Sequence, residues 1–447
     1  MSAPNKLLLA MLLAMGAALP PCAMSAAATA NVTTATANAT GVPAAAPAAT
    51  STSADAAVGA LAVLPPEPMV RRALESLPQL RLGTLQSQLA GVDKSRLQAG
   101  SYEWTARASV NQRRVEGGER FQEQELALER TVRWFGKAGQ DQAIGAQGVV
   151  VAEAMHADAW HEAGRALMKD WFDALREQAA VARLEEQLAV TEQLRRVATK
   201  RVRAGDGARL EQLQADTEHQ RVAALALQAR QRQEQALAQL EQNYVGLPAP
   251  DASRLPLPPA PVEGADYWRE RILHDNHELE LAEAEVALYT LRASRQASDR
   301  MPDPTLALRA ARERAGQERL IGLSLSIPLP GAARAADRDG AALKAAMARE
   351  RADQVRLRVR LAAQRAVIDS VRSHQVWQTV REVETQARRQ SELMMKAYQA
   401  GECTLMDALG SRRQALDAAL AAQVAQVEAL AAYARVQLDA HAIWSID

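Results

Sequence analysis

Two short stretches, "RVRAGDGARLEQL" (Arg201–Leu213) and "AYQAGECTLMDAL" (Ala397–Leu409), share one layout and decide the fold. In each, an Ala-rich polar run ends in Ala-Gly, an acidic residue follows, and a second polar run begins. Gly just past a helical run, with an acid early in the next run, indicates that one helix ends and another begins. The sequence therefore predicts two helical hairpins, whose tips lie at about residues 203–210 and 399–407.

The runs on either side of these tips predict unusually long helices. Helical patterns extend from Gln147 to Arg203 and from Leu210 to about Val245, and no proline interrupts the first. A helix over 147–203 would be about 85 Å long at 1.5 Å per residue. Such a helix needs neighbours along its length, and Ala-rich faces let helices pack closely. The second half predicts the same pair of helices, from Arg338 to Ala400 and from Leu405 to His441.

Ahead of each long helix, apolar and polar residues alternate with a period of two, which is typical of strands with one apolar face. The first half predicts strands at about 101–116 and 119–135, and the second at about 303–314 and 317–330. The apolar positions that carry this pattern are Tyr102, Trp104, Ala106, Ala108 and Val110 in the first half, and Ile321, Leu323, Leu325, Ile327 and Leu329 in the second.

The order helix, strand, strand, long helix, tip, helix occurs twice, which predicts an internal structural repeat. The first repeat covers residues 65–247, with an irregularity expected at Pro78. A Pro-rich linker covers 248–264. The second repeat covers 265–447, and its first helix is expected to run from Trp268 to Gln296 without a break.

The N-terminus predicts a secretion signal. Lys6 precedes an apolar run and then small residues, so residues 1–28 are interpreted as a signal peptide cleaved between about Ala23 and Ala30. Residues 29–64 are Ala, Thr, Ser and Pro in mixture and predict a disordered leader. Cys22 leaves lipidation open, although Pro21 stands where a small residue is expected. No later stretch is judged long and apolar enough to cross a membrane as a helix.

Composition argues against several classes of function. Lys plus Arg equals Asp plus Glu, 53 each, so there is no basic field for nucleic acid. Hydrophobic residues reach 48% but aromatics only 4%, which favours packed helices over a large globular core. No phosphate-binding glycine loop and no nucleophile-and-base set appear, so neither an enzyme nor a cofactor is predicted. Beyond Cys22, Cys403 is alone, so the exported chain is expected to lack a disulfide.

From about Pro65 to Ile443 the chain resembles the TolC-like outer-membrane factors of tripartite efflux and type I secretion systems. The two tip stretches resemble that family's Tyr-x-x-Gly-x-x-(Ser/Thr)-x-x-Asp pattern, and "SDRMPDPTLAL" and "LSLSIPLPGAARAADRDGA" resemble its strand pair and strand-to-helix junction. The resemblance implies a homotrimer with a twelve-stranded barrel in outer-membrane lipid, four strands per chain, above a periplasmic α-helical tunnel. It also implies a passive duct that works with a periplasmic adaptor and an inner-membrane pump, for which the resistance-nodulation-division class is a candidate.

Within the resemblance, the tips form the inner end of the tunnel. Asp407 takes the place of an acidic constriction ring, where three copies would favour cations; the alternative is an ordinary exposed Asp near a helix start. Tyr398 and Glu211 match a polar latch of the closed state, although Tyr398 could equally be a packing residue. Cys403 stands where the best-known members have an assisting arginine, and Gly410 replaces a second acid, which leaves open a weaker or differently built latch.

Three further expectations concern binding. The resemblance places adaptor docking beside the tips, at Gly205, Asp206, Gly401 and Glu402. A soft-metal cluster could form from Cys403, Met394, Met395 and Met406, but methionines more often fill gaps between helices, so no metal is predicted. His274 and His277 could share a helix face, without an evident acidic or cysteine partner.

A soluble periplasmic coiled-coil scaffold or chaperone is the alternative function. It would account for the signal and the helices. It would leave the strand pairs, at equal places in both halves, as a coincidence.

Overall fold

The computed structural model describes residues 59–260 and 263–445, which all belong to one folded unit. The predicted signal peptide, its cleavage site and Cys22 lie outside the described residues. The end of the predicted leader is described and is ordered, which corrects that part of the expectation. Ala60 is 3% exposed, and the main-chain carbonyl of Val63 accepts a 2.9 Å hydrogen bond from the indole of Trp171. Residues 59–64 therefore pack onto the protein because they carry apolar side chains that the core can bury.

Eight α-helices are named here in chain order: α1 (Glu67–Glu75), α2 (Pro78–Ala99), α3 (Lys137–Ala204), α4 (Arg209–Asn243), α5 (Ala265–His274), α6 (His277–Ser298), α7 (Ala332–Ala400) and α8 (Leu405–Asp439). The described residues also form four strands: β1 (Thr105–Arg114), β2 (Arg120–Thr131), β3 (Thr305–Glu313) and β4 (Glu318–Ser326). The order α2-β1-β2-α3-α4 recurs as α6-β3-β4-α7-α8. Long helices with four strands confirm the predicted fold class.

Several element bounds differ from the sequence prediction. The first helix of the second half is not continuous: α5 ends at His274, and the side chain of Asn276 caps α6 by accepting a 2.9 Å hydrogen bond from the amide of Leu279. The predicted irregularity at Pro78 is a break between α1 and α2, with Pro78 in the first turn of α2. The helix α3 begins at Lys137 rather than Gln147, and α7 at Ala332 rather than Arg338. Each helix starts directly after its N-cap glycine, Gly136 or Gly331, which follows the second strand of the pair by five residues.

The main core lies between α1, the middle of α3 and the C-terminal half of α8. Trp171, Leu175 and Leu430 are buried there at 3% exposure or less. Smaller apolar clusters follow the helix pairs toward the tips, and alanines supply many of their buried positions. Alanine lets two helices approach closely over many turns, so these pairs are held by continuous shallow packing rather than by one large core.

The four strands form one antiparallel sheet in the order β1-β2-β3-β4. The central pairing joins the two halves, with Leu128 opposite Leu308. Because the two halves share only this pairing within the sheet, β1 and β4 are both edge strands with unpaired backbone groups. No helix packs across either face of the sheet within the described ranges.

One face of the sheet is apolar and the other is polar. Leu128, Leu308 and Leu323 align in one row across three strands, and Ile321 and Leu323 are 82% and 79% exposed. The opposite face carries cross-strand ion pairs: Arg107–Glu129 at 3.0 Å, Arg113–Glu123 at 3.5 Å and Arg309–Glu125 at 2.9 Å. A sheet in water normally covers its apolar face, so the large exposed aliphatic surface indicates a binding or membrane surface.

One described helix, α8, is long and apolar enough to cross a membrane by length and composition, which corrects the expectation that no later stretch qualifies. Its mean hydropathy is 1.2 over the best window. Alanine contributes much of that value, and the buried positions of α8 pack against α7 and α3. The apolar residues of α8 thus pack inside the helix bundle.

Candidate functional site

The two predicted tips have the same backbone geometry. Each ends in a glycine with positive φ, 82° at Gly205 and 81° at Gly401. The amide of Asp206 donates to the carbonyl of Arg201 at 3.0 Å, and that of Glu402 donates to Ala397 at 2.9 Å. These hydrogen bonds, each between residues five apart at a helix C-terminus, satisfy carbonyls that a helix end otherwise leaves unpaired. A side chain at either glycine would strain this turn, which explains the repeated Ala-Gly signal.

The helix that leaves the second tip carries a stronger N-terminal cap. Thr404 Oγ1 accepts from the amide of Asp407 at 3.2 Å, and Asp407 Oδ2 accepts from the amide of Thr404 at 3.2 Å. The corresponding position of the first tip, Ala208, has no side-chain cap. Hydrogen bonds from Thr404 hold the pKa of Asp407 below its usual value, so this exposed carboxylate stays charged in moderately acidic solution.

A polar cluster joins the two tips. Arg201 Nη1 donates to Tyr398 Oη at 2.7 Å, and the guanidinium carbon of Arg201 lies 5.7 Å from the centre of the Tyr398 ring. Arg201 Nη1 also lies 3.5 Å from Glu211 Oε2, and Arg201 Nη2 donates to the carbonyl of Asp206 at 3.3 Å. Burial and the nearby Glu211 raise the pKa of Tyr398, so its hydroxyl stays protonated at neutral pH. We call Arg201, Glu211 and Tyr398 the tip cluster.

The structure brings Tyr398 and Glu211 together, as the sequence predicts, but at 3.5 Å, which is long for a hydrogen bond. Their shorter link is Arg201, which sequence reasoning missed. The resemblance places Cys403 where the best-known members have an assisting arginine, whereas the structure has an arginine on the opposite tip. The signal was present: Arg201 is the first residue of the "RVRAGDG" stretch, but pairing across 197 positions could not be inferred from it.

A second charged contact joins the two hairpins about two turns above the tip cluster. Glu218 of α4 is 5% exposed, and its Oε2 accepts from Arg413 Nη2 of α8 at 2.7 Å. Arg221 binds the same carboxylate at 2.8 Å. Burial raises the pKa of Glu218, but the hydrogen bonds from both arginines outweigh it and bring the pKa below the usual value. Sequence reasoning missed this contact because only the i, i+3 pair on α4 is visible without the fold.

The remaining predicted site residues lie at the same end of the helices. Asp206 and Glu402 are exposed beside their glycines, which leaves both tips accessible. Cys403 Sγ donates to the carbonyl of Met394 at 3.5 Å, so the thiol contacts the backbone of α7. Among the residues that the structure describes, no group of three or more His, Cys, Asp or Glu side chains is arranged to hold a metal ion.

No protein-family profile matches the chain, and no curated protein matches its sequence. Solved structures do match. The CmeC outer-membrane channel of Campylobacter jejuni gives a TM-score of 0.69 at 14% identity, over 87% of this chain and 88% of that one. VceC of Vibrio cholerae gives 0.65 at 16% identity, over 84% and 95%. The open state of the Neisseria gonorrhoeae MtrE channel gives 0.57 at 17% identity, over 83% and 88%.

These likenesses extend over most of both chains. At such low identity they establish the architecture. The chain has the fold of the TolC-like outer-membrane factors.

Proposed function

We propose that this protein is a trimeric outer-membrane channel that passively conducts substrates for a tripartite efflux or secretion system. The observation that carries the proposal is the uncovered sheet, with aliphatic side chains on one face and ion-paired side chains on the other. Lipid suits the first face and water suits the second, which is the pattern of a membrane barrel wall. Along β4 and just beyond it, Ile321 to Leu329 supplies an apolar band about 26 Å long at ~3.3 Å per residue.

The two open edges support assembly from several copies. An unpaired edge in lipid leaves backbone groups without partners, at several kcal/mol each. Four strands are too few to close a barrel, since about eight is the practical minimum. If β4 of one copy pairs with β1 of the next, the edges disappear, and three copies give a wall of twelve strands.

The helices fit a conduit. The 68 residues of α3 and the 69 of α7 would each extend about 100 Å at 1.5 Å per residue. Many positions facing away from the packed seams are charged or polar, so a lumen bounded by these helices would hold water. The tips would then lie at the periplasmic end, where a periplasmic adaptor would dock beside Gly205, Asp206, Gly401 and Glu402 and connect the duct to an inner-membrane pump.

A pair of neighbouring positions on β4 tests the proposal. Leu323 and Ser324 point to opposite faces, so Leu323→Arg puts a charge into lipid, whereas Ser324→Arg puts the same charge into water. An arginine at the bilayer midplane costs about 2–4 kcal/mol per copy. We expect Leu323→Arg to abolish SDS-resistant, heat-modifiable trimers in outer-membrane fractions, and Ser324→Arg to leave them near the wild-type level.

A soluble chain would instead favour the alternative function, a periplasmic scaffold or chaperone. If osmotic shock releases the wild-type chain as a soluble monomer, or if both arginine variants behave alike, the sheet does not face lipid and the channel proposal is wrong.

Asp407 provides a test of the constriction within the same proposal. Asp407→Asn keeps an oxygen that can accept from Thr404 but removes the charge. We expect the concentration of a trivalent cobalt hexaammine ion that halves single-channel current to rise at least about tenfold, because three carboxylates each contribute roughly 1 kcal/mol or more to cation binding. Asp417→Asn, an exposed position on the same helix, is the matched control. Equal block in the two variants would place Asp407 outside the conduction path.

A further inference from the structure

Two cavities beside α6 differ in whether their charged side chains have partners. The first, of about 540 Å³, is lined by His274 and His277 among others. His274 Nδ1 lies 2.6 Å from Asp275 Oδ1, and His277 Nδ1 lies 3.3 Å from Glu280 Oε2. The expectation that these histidines have no acidic partner is therefore wrong. The second cavity contains cations that lack such partners.

The second cavity, of about 750 Å³, lies between four helices. Its walls are one face of α6 and one face of α7, with smaller contributions from Leu97 of α2 and from Asp141 and Ile144 of α3. We call it the junction cavity, because Asp299, which also lines it, caps the end of α6 just before β3 begins. Its volume is typical of small-molecule sites in proteins, which occupy about 300–1,000 Å³.

Both carboxylates that line the junction cavity are already paired. Arg295 Nε lies 2.6 Å from Asp141 Oδ1, and Arg295 Nη1 lies 2.6 Å from Asp299 Oδ1. Arg133 and Lys137 bind the same two carboxylates, at 3.0 Å and 2.7 Å. Three cations therefore neutralise these two negative charges, which leaves neither carboxylate to pair with another cation of the lining.

Three other cations in the lining, Arg292, Lys344 and Arg351, are unpaired. Within the described ranges, none of them makes an ion pair or a hydrogen bond through its side chain. Arg292 instead packs over the ring of Tyr289, with its guanidinium carbon 5.5 Å from the ring centre. Lys344 and Arg351 lie two turns apart on one face of α7. Like charges along a concave wall produce a positive potential that attracts anions.

The register of α6 and α7 brings two of these cations to neighbouring levels. Arg334 Nη1 of α7 donates to the main-chain carbonyl of Asp299 at 3.0 Å. Because α6 ends next to the sheet and α7 begins there, the two helices run in opposite directions. Counting equally from this contact along each helix places Lys344 level with Tyr289, and Arg292 about one turn nearer the sheet. Both long side chains can therefore reach one ligand headgroup.

The rest of the lining is mostly apolar and consists of Leu97, Ile144, Tyr289, Ala341 and Met347. Met347 is 52% exposed although it lies between Lys344 and Arg351 on the same face of α7. Inorganic phosphate would leave these apolar walls in water, and an uncharged hydrocarbon would leave the three cations unpaired. The lining thus fits a ligand that has both an acidic head and a hydrocarbon tail.

We propose that the junction cavity binds an amphipathic anion, with a phosphate or carboxylate head and a hydrocarbon tail. Arg292, Lys344 and Arg351 bind the head, since a guanidinium can donate two parallel hydrogen bonds to either group and an ammonium adds a point charge. The tail lies along Leu97, Ile144 and Met347. This binding does not depend on channel activity.

Two sources could supply such an anion in the proposed channel. One is an anionic phospholipid of the membrane around the sheet, and the other is a single-chain anion that passes through the duct. Both offer the same head and tail, so the experiment needs one arm for each source.

Calorimetric titration of the full chain in a neutral detergent tests the site, with octyl phosphate as the probe. We expect one octyl phosphate per chain, and at least about tenfold weaker binding of butyl phosphate and of inorganic phosphate, which bury less hydrocarbon. Arg351→Gln should weaken octyl phosphate binding about tenfold, because it removes one charged hydrogen-bond donor. The double variant with Arg292→Gln should weaken binding roughly a hundredfold.

The matched control is Arg349→Gln. Arg349 is exposed on the same helix, and two residues of an α-helix correspond to about 200°, so it points away from the junction cavity. It should bind octyl phosphate as the parent does. Since Arg349→Gln and Arg351→Gln carry the same net charge, a difference between them cannot come from partition of the probe into the detergent.

The lipid arm uses nanodiscs of equal phosphatidylglycerol and phosphatidylcholine, followed by native mass spectrometry of the released protein. Phosphatidylglycerol retained by the parent and by Arg349→Gln, but not by Arg351→Gln, identifies a membrane lipid as the ligand. Octyl phosphate binding without retained phosphatidylglycerol identifies a single-chain anion instead.

Three results would overturn the inference. Octyl phosphate and inorganic phosphate would bind equally, or Arg351→Gln and Arg349→Gln would bind octyl phosphate equally. Alternatively, the double variant would dissociate the trimer without a change in octyl phosphate binding, which would mean that these cations pair with the next copy. Stable outer-membrane trimers that bind no octyl phosphate would sink this inference and leave the channel proposal standing.

Discussion

Replacement of Lys137 by methionine is expected to lower the free energy of unfolding by about 3 kcal/mol or more at neutral pH. The change takes the paired cation from the buried Asp303 carboxylate and leaves Asp299 with Arg295 as its charged partner. Lys137 is 2% exposed, and its Nζ lies 2.7 Å from Asp299 Oδ1 and 2.9 Å from Asp303 Oδ1. Asp303 also accepts from the amide of Trp134 and from the hydroxyl of Tyr102, each at 2.8 Å. This junction network joins the sheet to the first turn of α3 and to the end of α6.

The loss of stability in Lys137→Met should depend on pH. Burial raises the pKa of Asp299 and Asp303, but hydrogen bonds, including those from Lys137, bring both below the usual value. Burial and Asp303 also raise the pKa of Tyr102 to about 12. Without the lysine, both carboxylates lose hydrogen bonds that lower their pKa. A carboxylate whose folded-state pKa is depressed stabilises the fold above its unfolded pKa and loses that contribution as pH falls. The deficit should therefore be smaller near pH 3, below the ordinary Asp pKa of about 3.9, than at pH 7.5.

Two variants make this prediction specific. Lys344→Met removes the same charge from an exposed position on α7 and should change the unfolding midpoint little. Adding Asp303→Asn to Lys137→Met should recover part of the lost stability and remove most of the pH dependence. Unfolding can be followed by the fluorescence of the seven tryptophans, of which Trp134 lies at the junction. A deficit equal to that of Lys344→Met, or one that grows on acidification, would contradict the buried-charge account.

Sequence reasoning succeeded where a pattern is local. Alternation along Ile321–Ser326 is visible without a partner, and Ala-Gly followed by an acid marks each tip because only glycine adopts that turn easily. The break before α6 was not predicted, because the local pattern there is ambiguous. Asn276 is a good cap, but the surrounding "HDNHELELAEAE" has a helical composition throughout. Packing against α3 and α7 decides whether the helix continues through Asn276 or restarts there.

Contacts between the two repeats could not be predicted from the sequence. The β2–β3 pairing, the Lys137 network and the Arg413–Glu218 pair each join residues more than 160 positions apart. Charged residues are so frequent on these helices that many pairings would satisfy the same charges. Arg201 shows the limit clearly. A resemblance suggests where an arginine belongs in relatives, but a new chain can supply the same guanidinium from the opposite hairpin, and only coordinates distinguish the two.

Because Arg201 and Tyr398 lie on different hairpins, the tip cluster can hold the two hairpins together. In the proposed channel, Arg201 belongs to the α3–α4 hairpin and Tyr398 to the α7–α8 hairpin, so their contact must break if the hairpins separate. The pair Glu218–Arg413 connects α4 to α8 farther from the tips and can act as the pivot. Separation at the tips with the pivot intact would widen the end of the duct without dismantling the helices.

Removal of the Arg201 side chain is therefore expected to open the proposed channel. The contacts of Arg201 with Tyr398 and Glu211 should contribute only about 1 kcal/mol per chain, since the guanidinium is part exposed and solvent screens its charge. If three hairpin pairs open together, the contributions add to about 3 kcal/mol, which shifts the open-to-closed ratio roughly a hundredfold. In planar bilayers, Arg201→Ala should raise resting conductance and the fraction of time in the high-conductance state. Tyr398→Phe should give a smaller change in the same direction, because it removes only the hydroxyl partner.

The matched control is Arg196→Ala, which removes a guanidinium from the same helix but breaks only its 2.7 Å pair with Glu192 on that helix. It should conduct like the wild type. A double variant, Arg201→Ala with Tyr398→Phe, should equal Arg201→Ala alone if the two residues act through one contact, whereas independent roles would make their effects add. Wild-type conductance in Arg201→Ala, with trimers intact, would mean that the hairpins are held shut by some other contact. Equal opening in Arg196→Ala would show that the loss of charge, and not the loss of the tip cluster, controls the gate.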